Sequence, residues 1–97
     1  MDELVQKVKE WGREKQINNP DKQLIKTVEE VAEIAHEFSR NKYDTKEVKD
    51  SIGDATVCLI ILADMLGLDY RDCLAYAWEE IKDRKGKTIS GTFVKEV

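Results

Sequence analysis

The segment Thr27–Phe38, TVEEVAEIAHEF, carries Glu29, Glu30, Glu33 and Glu37 in a helical pattern. At about 100° per residue the four acids share one face, away from the apolar positions. Alone, that is what a solvated face looks like, but its charges are unmixed. Glu29 and Glu33 repel at a spacing of four, and Lys26 is the one base close enough along the helix to relieve them. A second pair, Asp50 and Asp54, is also spaced by four, and Val57 and Ile61 continue the same face. The aspartates therefore extend a stripe expected to be buried or nearly so. Asp50 sits close enough to a helix start for the dipole to favour it, whereas Asp54 lies too far in. Buried carboxylates require pairing, protonation or a bound metal.

If the two segments form an antiparallel hairpin, Glu30 and Glu33 on one helix face Asp50 and Asp54 on the other. Four converging carboxylates without matching bases call for a cation. Oxygen-only donors suit Mg²⁺, with Mn²⁺ as the alternative. Mg²⁺ keeps part of its water shell and shares the rest with substrate phosphates, so such a cage points to phosphate-ester chemistry.

The elements that must position these residues read as helices. Helix 1 is expected over Asp2–Lys15, with Leu4, Val8 and Trp11 on its apolar side. INNPD forms a turn in which Asp21 can cap the next helix. Helix 2 is expected over Lys22–Arg40, with the stripe Leu24, Val28, Val31, Ala35 and Phe38. Asp44 or Thr45 caps helix 3, which runs to Leu66 and stops at Gly67. Apolar residues surround helix 3 almost completely, so it is expected to be central. Asp69 caps helix 4 over Tyr70–Lys85, with Leu74, Ala77, Trp78 and Ile81 inward. The tail from about Gly86 holds short β-prone runs and is expected to be an extended arm or a frayed end. Short connections between four helices predict one all-α, antiparallel four-helix bundle spanning residues 1–97.

Composition narrows the partners. The chain has 97 residues, 41% apolar and 37% charged, with a net charge of −4. That balance fits a globular domain and argues against a nucleic-acid coat, which needs a basic footprint. A chain this short commonly completes its core by association. Cys58 and Cys73 form no CxxC and read as free, buried thiols of a reducing compartment. The amphipathic, acid-bearing N-terminus does not resemble a leader, and the apolar run Ala55–Ala63 is too short to span a bilayer. A cytoplasmic protein is expected.

Glu29-Glu30-Val31-Ala32-Glu33, followed by Asp50-Ser51-Ile52-Gly53-Asp54, resembles the EExxE…ExxD signature of the all-α nucleoside triphosphate pyrophosphatases, the MazG-like superfamily. The Trp11 region, Gln23, Lys26 and the stretch Glu80–Gly86 add to the likeness, which covers essentially the whole chain and includes short phage-borne members. Two positions depart from it. Ser51 stands where the signature has Glu, with the acid one residue earlier at Asp50, and Glu79 stands where many relatives carry Asn. The resemblance implies Mg²⁺-dependent hydrolysis of a nucleoside triphosphate to a monophosphate and pyrophosphate. It implies Glu30, Glu33, Asp50 and Asp54 as metal ligands and Glu29 as base or water-orienting group. Lys26, Lys82 and Arg84 are implied on the polyphosphate, with Trp11 and Trp78 as candidates to stack on the base. It also implies a homodimer or homotetramer with the pocket completed by another subunit.

Two other readings stand beside it. Glu33-Ile34-Ala35-His36 matches one ExxH motif of di-iron bundles, but His36 is the chain's single histidine, so that site needs a symmetric dimer. The other is a helical nucleotide-binding or oligomerisation module without turnover.

Overall fold

The computed structural model describes residues 2–96. Four helices, α1 (Asp2–Glu14), α2 (Pro20–Ser39), α3 (Lys46–Met65) and α4 (Tyr70–Ile81), are followed by a two-stranded antiparallel sheet, β1 (Gly86–Ile89) and β2 (Thr92–Lys95). The chain is thus mostly helical. The tail is neither frayed nor a single arm: Ser90 and Gly91, both with positive φ, make the two-residue turn that suits the twist of a hairpin.

Local chemistry explains the helix starts. The Asn19 side chain accepts from the Lys22 N–H, with Pro20 in the first helical turn, so Asn19 rather than Asp21 caps α2. Thr45 caps α3 by accepting from Val48, and Asp69 caps α4 by accepting from Arg71. Gly67, at φ 76°, ends α3, and the Leu68 N–H returns to the Ala63 carbonyl. α4 stops at Ile81, four residues short of the expected Lys85.

α2 and α3 form the principal packed pair. Their contact reverses the expected orientation of α2. The positions of α2 that are buried or half-buried are Gln23, Thr27, Glu30, Ile34 and Glu37, a 4-3-4-3 row of mostly polar residues. The apolar stripe of Leu24, Val28, Val31 and Phe38 is exposed instead. α3 answers with a row of compact residues, Val48, Ser51, Ala55 and Cys58, all buried, which lets the helices approach closely. Gln23 Nε2 donates to the Cys58 carbonyl at 3.1 Å and Thr27 Oγ1 donates to the Gln23 carbonyl at 2.8 Å. The polar groups at this interface are therefore largely satisfied inside the pair.

α1 lies across another side of α3 through Val5, which is 2% exposed, and Gly12. The expected stripe of Leu4 and Trp11 is exposed, one residue out of phase with the buried one. Gly12 explains the shift: a Cβ there would meet Ile61 Cγ1 at 3.1 Å, so α1 approaches α3 where it has no side chain. α4 leaves the end of α3 at 102° and touches α1 and α3 but not α2. None of its residues is buried, nor is any hairpin residue. The Cα radius of gyration is 15.7 Å, against about 12.5 Å for a compact domain of this length. A closed antiparallel four-helix bundle is therefore not formed by one chain. Among the described residues, no single helix is long and apolar enough to cross a membrane.

Gly12→Val should force α1 away from Ile61 and lower unfolding stability by about 1–3 kcal/mol. Urea titration followed by circular dichroism measures this; an unchanged midpoint would contradict the close α1–α3 contact.

Candidate functional site

The polar row that docks α2 on α3 also carries acids to the border of the pair. Glu30, half-buried in that row, accepts an ion pair from Lys26 Nζ at 3.1 Å. The Lys26 ammonium is held above its usual range by that hydrogen bond to Glu30 and then by its charge, with a lesser contribution from Glu29. Across the pair, the Asp54 carboxyl is pushed above the usual carboxylate range. Partial desolvation is the first cause, followed by the charges of Asp50 and Glu30, against the pull of Lys26. Burial, and next the Glu30 charge, pushes the Cys58 thiol up as well. Glu30, Lys26, Asp50 and Asp54 thus share one electrostatic neighbourhood in which acid outnumbers base.

The expected tetrad is only partly assembled. Asp50 and Asp54 are exposed, not buried, because the neighbouring Ser51 and Ala55 take the positions that face α2. Glu29 and Glu33 are exposed, and no ion pair to Glu33 occurs among the described residues. No group of three His, Cys, Asp or Glu side chains among the described residues is gathered at metal-ligand distances. The fourth acid of the segment, Glu37, leaves the acidic face altogether: it is 6% exposed, its Oε2 has no hydrogen-bond partner, and the Lys42 ammonium lies 3.9 Å away. His36 is exposed.

Of the residues expected on substrate, Lys26 lies within the acidic neighbourhood. Trp11 lies with Leu4, Val8 and Val57 around an apolar groove, one turn of α3 from Asp54. Lys82, Arg84 and Trp78 do not join them, since α4 and α2 make no contact. Lys82 Nζ instead pairs with Glu79 at 2.7 Å. Cys73, expected to be buried, is exposed, while Cys58 is buried as expected.

Two clefts were not foreseen. One, of about 460 Å³, adjoins Lys26 and is lined by Gln16, Asn18, Asn19, Lys22 and Gln23. Its sequence signal, amides clustered with lysines, is hard to separate from ordinary turn chemistry. The other, about 720 Å³, lies between α1 and the α3–α4 corner, some ten residues of α3 away from Asp54. Its two bases, Lys9 and Arg13, are each paired with an acid, and Asp72 is a third acid on its wall. Arg13 makes a two-pronged contact with Asp64 at 2.8 and 2.6 Å, and Lys9 reaches Asp69 at 3.0 Å. Arg13 holds the Asp64 carboxyl below its usual range, and Arg71, then Lys9, do the same to Asp69. This cleft is an ion-paired joint that orients α4.

No family model matches the chain, and no solved structure matches it. It is similar to the "uncharacterized 18.2 kDa protein in rep-hol intergenic region" of Haemophilus phage HP1 (strain HP1c1), with 33% identity over 72 residues, covering 71% of this chain. The chain spans 43% of the length of that relative.

A carboxyl with a raised folded-state pKa opposes folding wherever it is ionised. The penalty is absent below the ordinary carboxylate range and complete above the group's own raised pKa. Asp54→Asn should therefore raise the melting temperature at neutral pH, and the gain should fade as pH falls through the raised Asp54 pKa and be gone below about 4. Calorimetry of both proteins across that range tests the sign; a loss of stability at neutral pH would refute it.

Proposed function

We propose that this chain is a metal-dependent nucleoside triphosphate pyrophosphohydrolase of the MazG-like kind, converting (d)NTP to (d)NMP and pyrophosphate in the cytoplasm. The observation that carries the reading is the Lys26–Glu30 pair set against Asp54 and Asp50 across two antiparallel helices. The donors are all carboxylate oxygens, from adjacent helices, on a border where negative charge exceeds positive. In kind they fit a hard divalent cation such as Mg²⁺ or Mn²⁺, although in the single chain they are not gathered at ligand distances. Glu30, Asp50 and Asp54 would hold it, with Glu33 at the outer edge. Such a cation, when bound, neutralises phosphoryl charge and acidifies its bound water.

The chain's own residues supply the rest. Glu29, exposed beside Lys26, accepts a proton from the attacking water. Lys26, released from Glu30 once that carboxylate has another partner, meets the polyphosphate. The cleft of Gln16, Asn18, Asn19, Lys22 and Gln23 presents amide donors and acceptors to a base or sugar and an ammonium to a phosphate. Trp11 offers a stacking surface from α1. Lys82, Arg84 and Trp78 would enter such a site only from another copy, which accords with a homodimer or homotetramer. A second reading is a nucleotide-binding or oligomerisation module without turnover. The internal Lys26–Glu30 ion pair and the exposed Asp50 favour it.

Pyrophosphate release from a panel of canonical and modified nucleotides, with Mg²⁺, with Mn²⁺ and with chelator, separates the two. Hydrolysis should require the metal and fall on the order of 100-fold or more in both Glu30→Gln and Asp54→Asn. Because Asp54→Asn is expected to fold at least as well as the parent, its loss of rate would not reflect unfolding. Binding of nucleotide without release would establish the module instead.

A further inference from the structure

Charge is divided unevenly along the chain. Residues 1–81 hold 11 Lys and Arg against 18 Asp and Glu, whereas residues 82–97 hold 5 against 2. The net charge of −4 therefore conceals an acidic body of −7 and a C-terminal end of +3. That end comprises the connection after α4 and the β1–β2 hairpin. Every residue from Lys82 to Glu96 is exposed, and the hairpin touches no helix. Among the described residues, no ion pair takes up Lys85, Lys87 or Lys95. We infer that the hairpin is a docking surface for a single-stranded nucleic acid, whose phosphates meet these three lysines while a nucleobase stacks on Phe93.

Three observations select that occupant. First, the register of the hairpin builds a platform. Phe93 opposes Thr88 and Lys95 opposes Gly86, so these four residues share one face. A Cβ at Gly86 would come within 2.6 Å of Phe93 Cζ, so the ring lies over the glycine of the neighbouring strand. It is nonetheless 52% exposed, which leaves its outer side open for stacking. Lys87 stands on the opposite face with Ile89 and Val94. A ribbon of two strands is only about 5 Å across, however, and a lysine stem is long enough to reach its edge. Second, the surface asks its partner for negative charge and for a flat apolar face together. An acidic peptide supplies the charge without a plane for the ring, whereas a nucleic-acid strand supplies both phosphates and nucleobases. Third, the rest of the chain is acidic. A stiff duplex or a planar anionic membrane that covered the hairpin would also approach that acidic body and be repelled. A flexible single strand can follow the narrow ribbon and stay clear of it. The overall charge still argues against a chain-wide coat, and the surface is independent of the proposed activity, since it needs neither Lys82 nor Arg84.

Fluorescence anisotropy of a short labelled oligothymidylate with the full chain tests it. Chelator is present throughout, so that no cation can hold phosphate at the acidic border. Binding should weaken with salt at a log–log slope of about −2, as three phosphate contacts to a single strand require. Lys87→Gln combined with Lys95→Gln should reduce the slope to about −0.7. Phe93→Ala should weaken binding about 10-fold, and Phe93→Trp should restore it. These positions are exposed and touch no helix, so the helical circular dichroism of every variant should match the parent's. An oligouridylate of equal length shows whether RNA serves as well as DNA, and binding of either supports the inference. A duplex of the same sequence, phosphatidylserine vesicles and polyglutamate should each bind about 10-fold more weakly or worse. No binding of either oligonucleotide at low salt, equal binding of any of those three competitors, or unchanged affinity in Phe93→Ala overturns it. Pyrophosphate release does not enter these readouts, so this surface and the activity can fail separately.

Discussion

The structure depends on a polar interface between two helices. Gln23 reaches from α2 to the Cys58 carbonyl on α3, and the row in which it stands, Thr27, Glu30, Ile34 and Glu37, docks against Ser51, Ala55 and the rest of the compact α3 row. A buried amide with a missing partner is costly, and that cost falls on any register that separates Gln23 from Cys58. Apolar stripes tolerate sliding and rotation more readily because their attraction has no direction. The hydrogen bond therefore sets the rotation of α2, which in turn decides where its acids and its apolar residues go.

The acidic border follows from that rotation. With Gln23 and Thr27 inward, Glu30 is carried to the edge of the interface, where Lys26, one turn earlier, can reach it. α3 brings Asp54 to the same edge because Ser51 and Ala55 occupy its inward positions. The Asp54 carboxyl is raised first by its partial desolvation at this edge and then by the charges of Asp50 and Glu30, which Lys26 only partly offsets. Exposure of Asp50, Asp54, Glu29 and Glu33 lets solvent screen that excess of charge, and the proposed cation would convert what remains of the repulsion into coordination.

Much of the framework was legible in local residue chemistry. Thr45 and Asp69 cap the helices they were expected to cap, and Gly67 stops α3, since caps and left-handed turns are decided within a few residues. Asp54 was legible as an acid too far into a helix for a capping role. The side on which α2 packs was not. An apolar stripe suggests a packed face, but here a directional hydrogen bond turned the polar row to α3 and left Leu24, Val28 and Val31 exposed. Trp11 and Leu4 misled for a related reason: large residues advertise a contact, while the tight one at Gly12 leaves no hydrophobic signature. Glu37 was grouped with the acids by angle, although its angle is equally that of Gln23 and Thr27. The tail KTISGTFVK held a hairpin signal in Ser-Gly between β-prone runs, too short to be separated from an extended arm.

The same division of faces bears on how an enzyme could be built from so small a chain. A domain of this length has too little interior to bury both a core and a preorganised acidic site. Giving the polar side of α2 to α3 places the acids at a well-determined intrachain border, where hydrogen bonds set their positions. The apolar side, with Leu24, Val28, Val31 and Phe38, stays exposed on the single chain. The placement of the acids is thereby held by directional forces within one chain. α4, exposed beyond the half-buried Tyr70 and Arg71 of its first turn, and the exposed hairpin are tethered at the ion-paired corner of Arg13, Asp64, Lys9 and Asp69 and are the least packed parts of the chain. Lys82 and Arg84 lie in the connection between them, so the cations that a polyphosphate site would still need are carried where the single chain packs least.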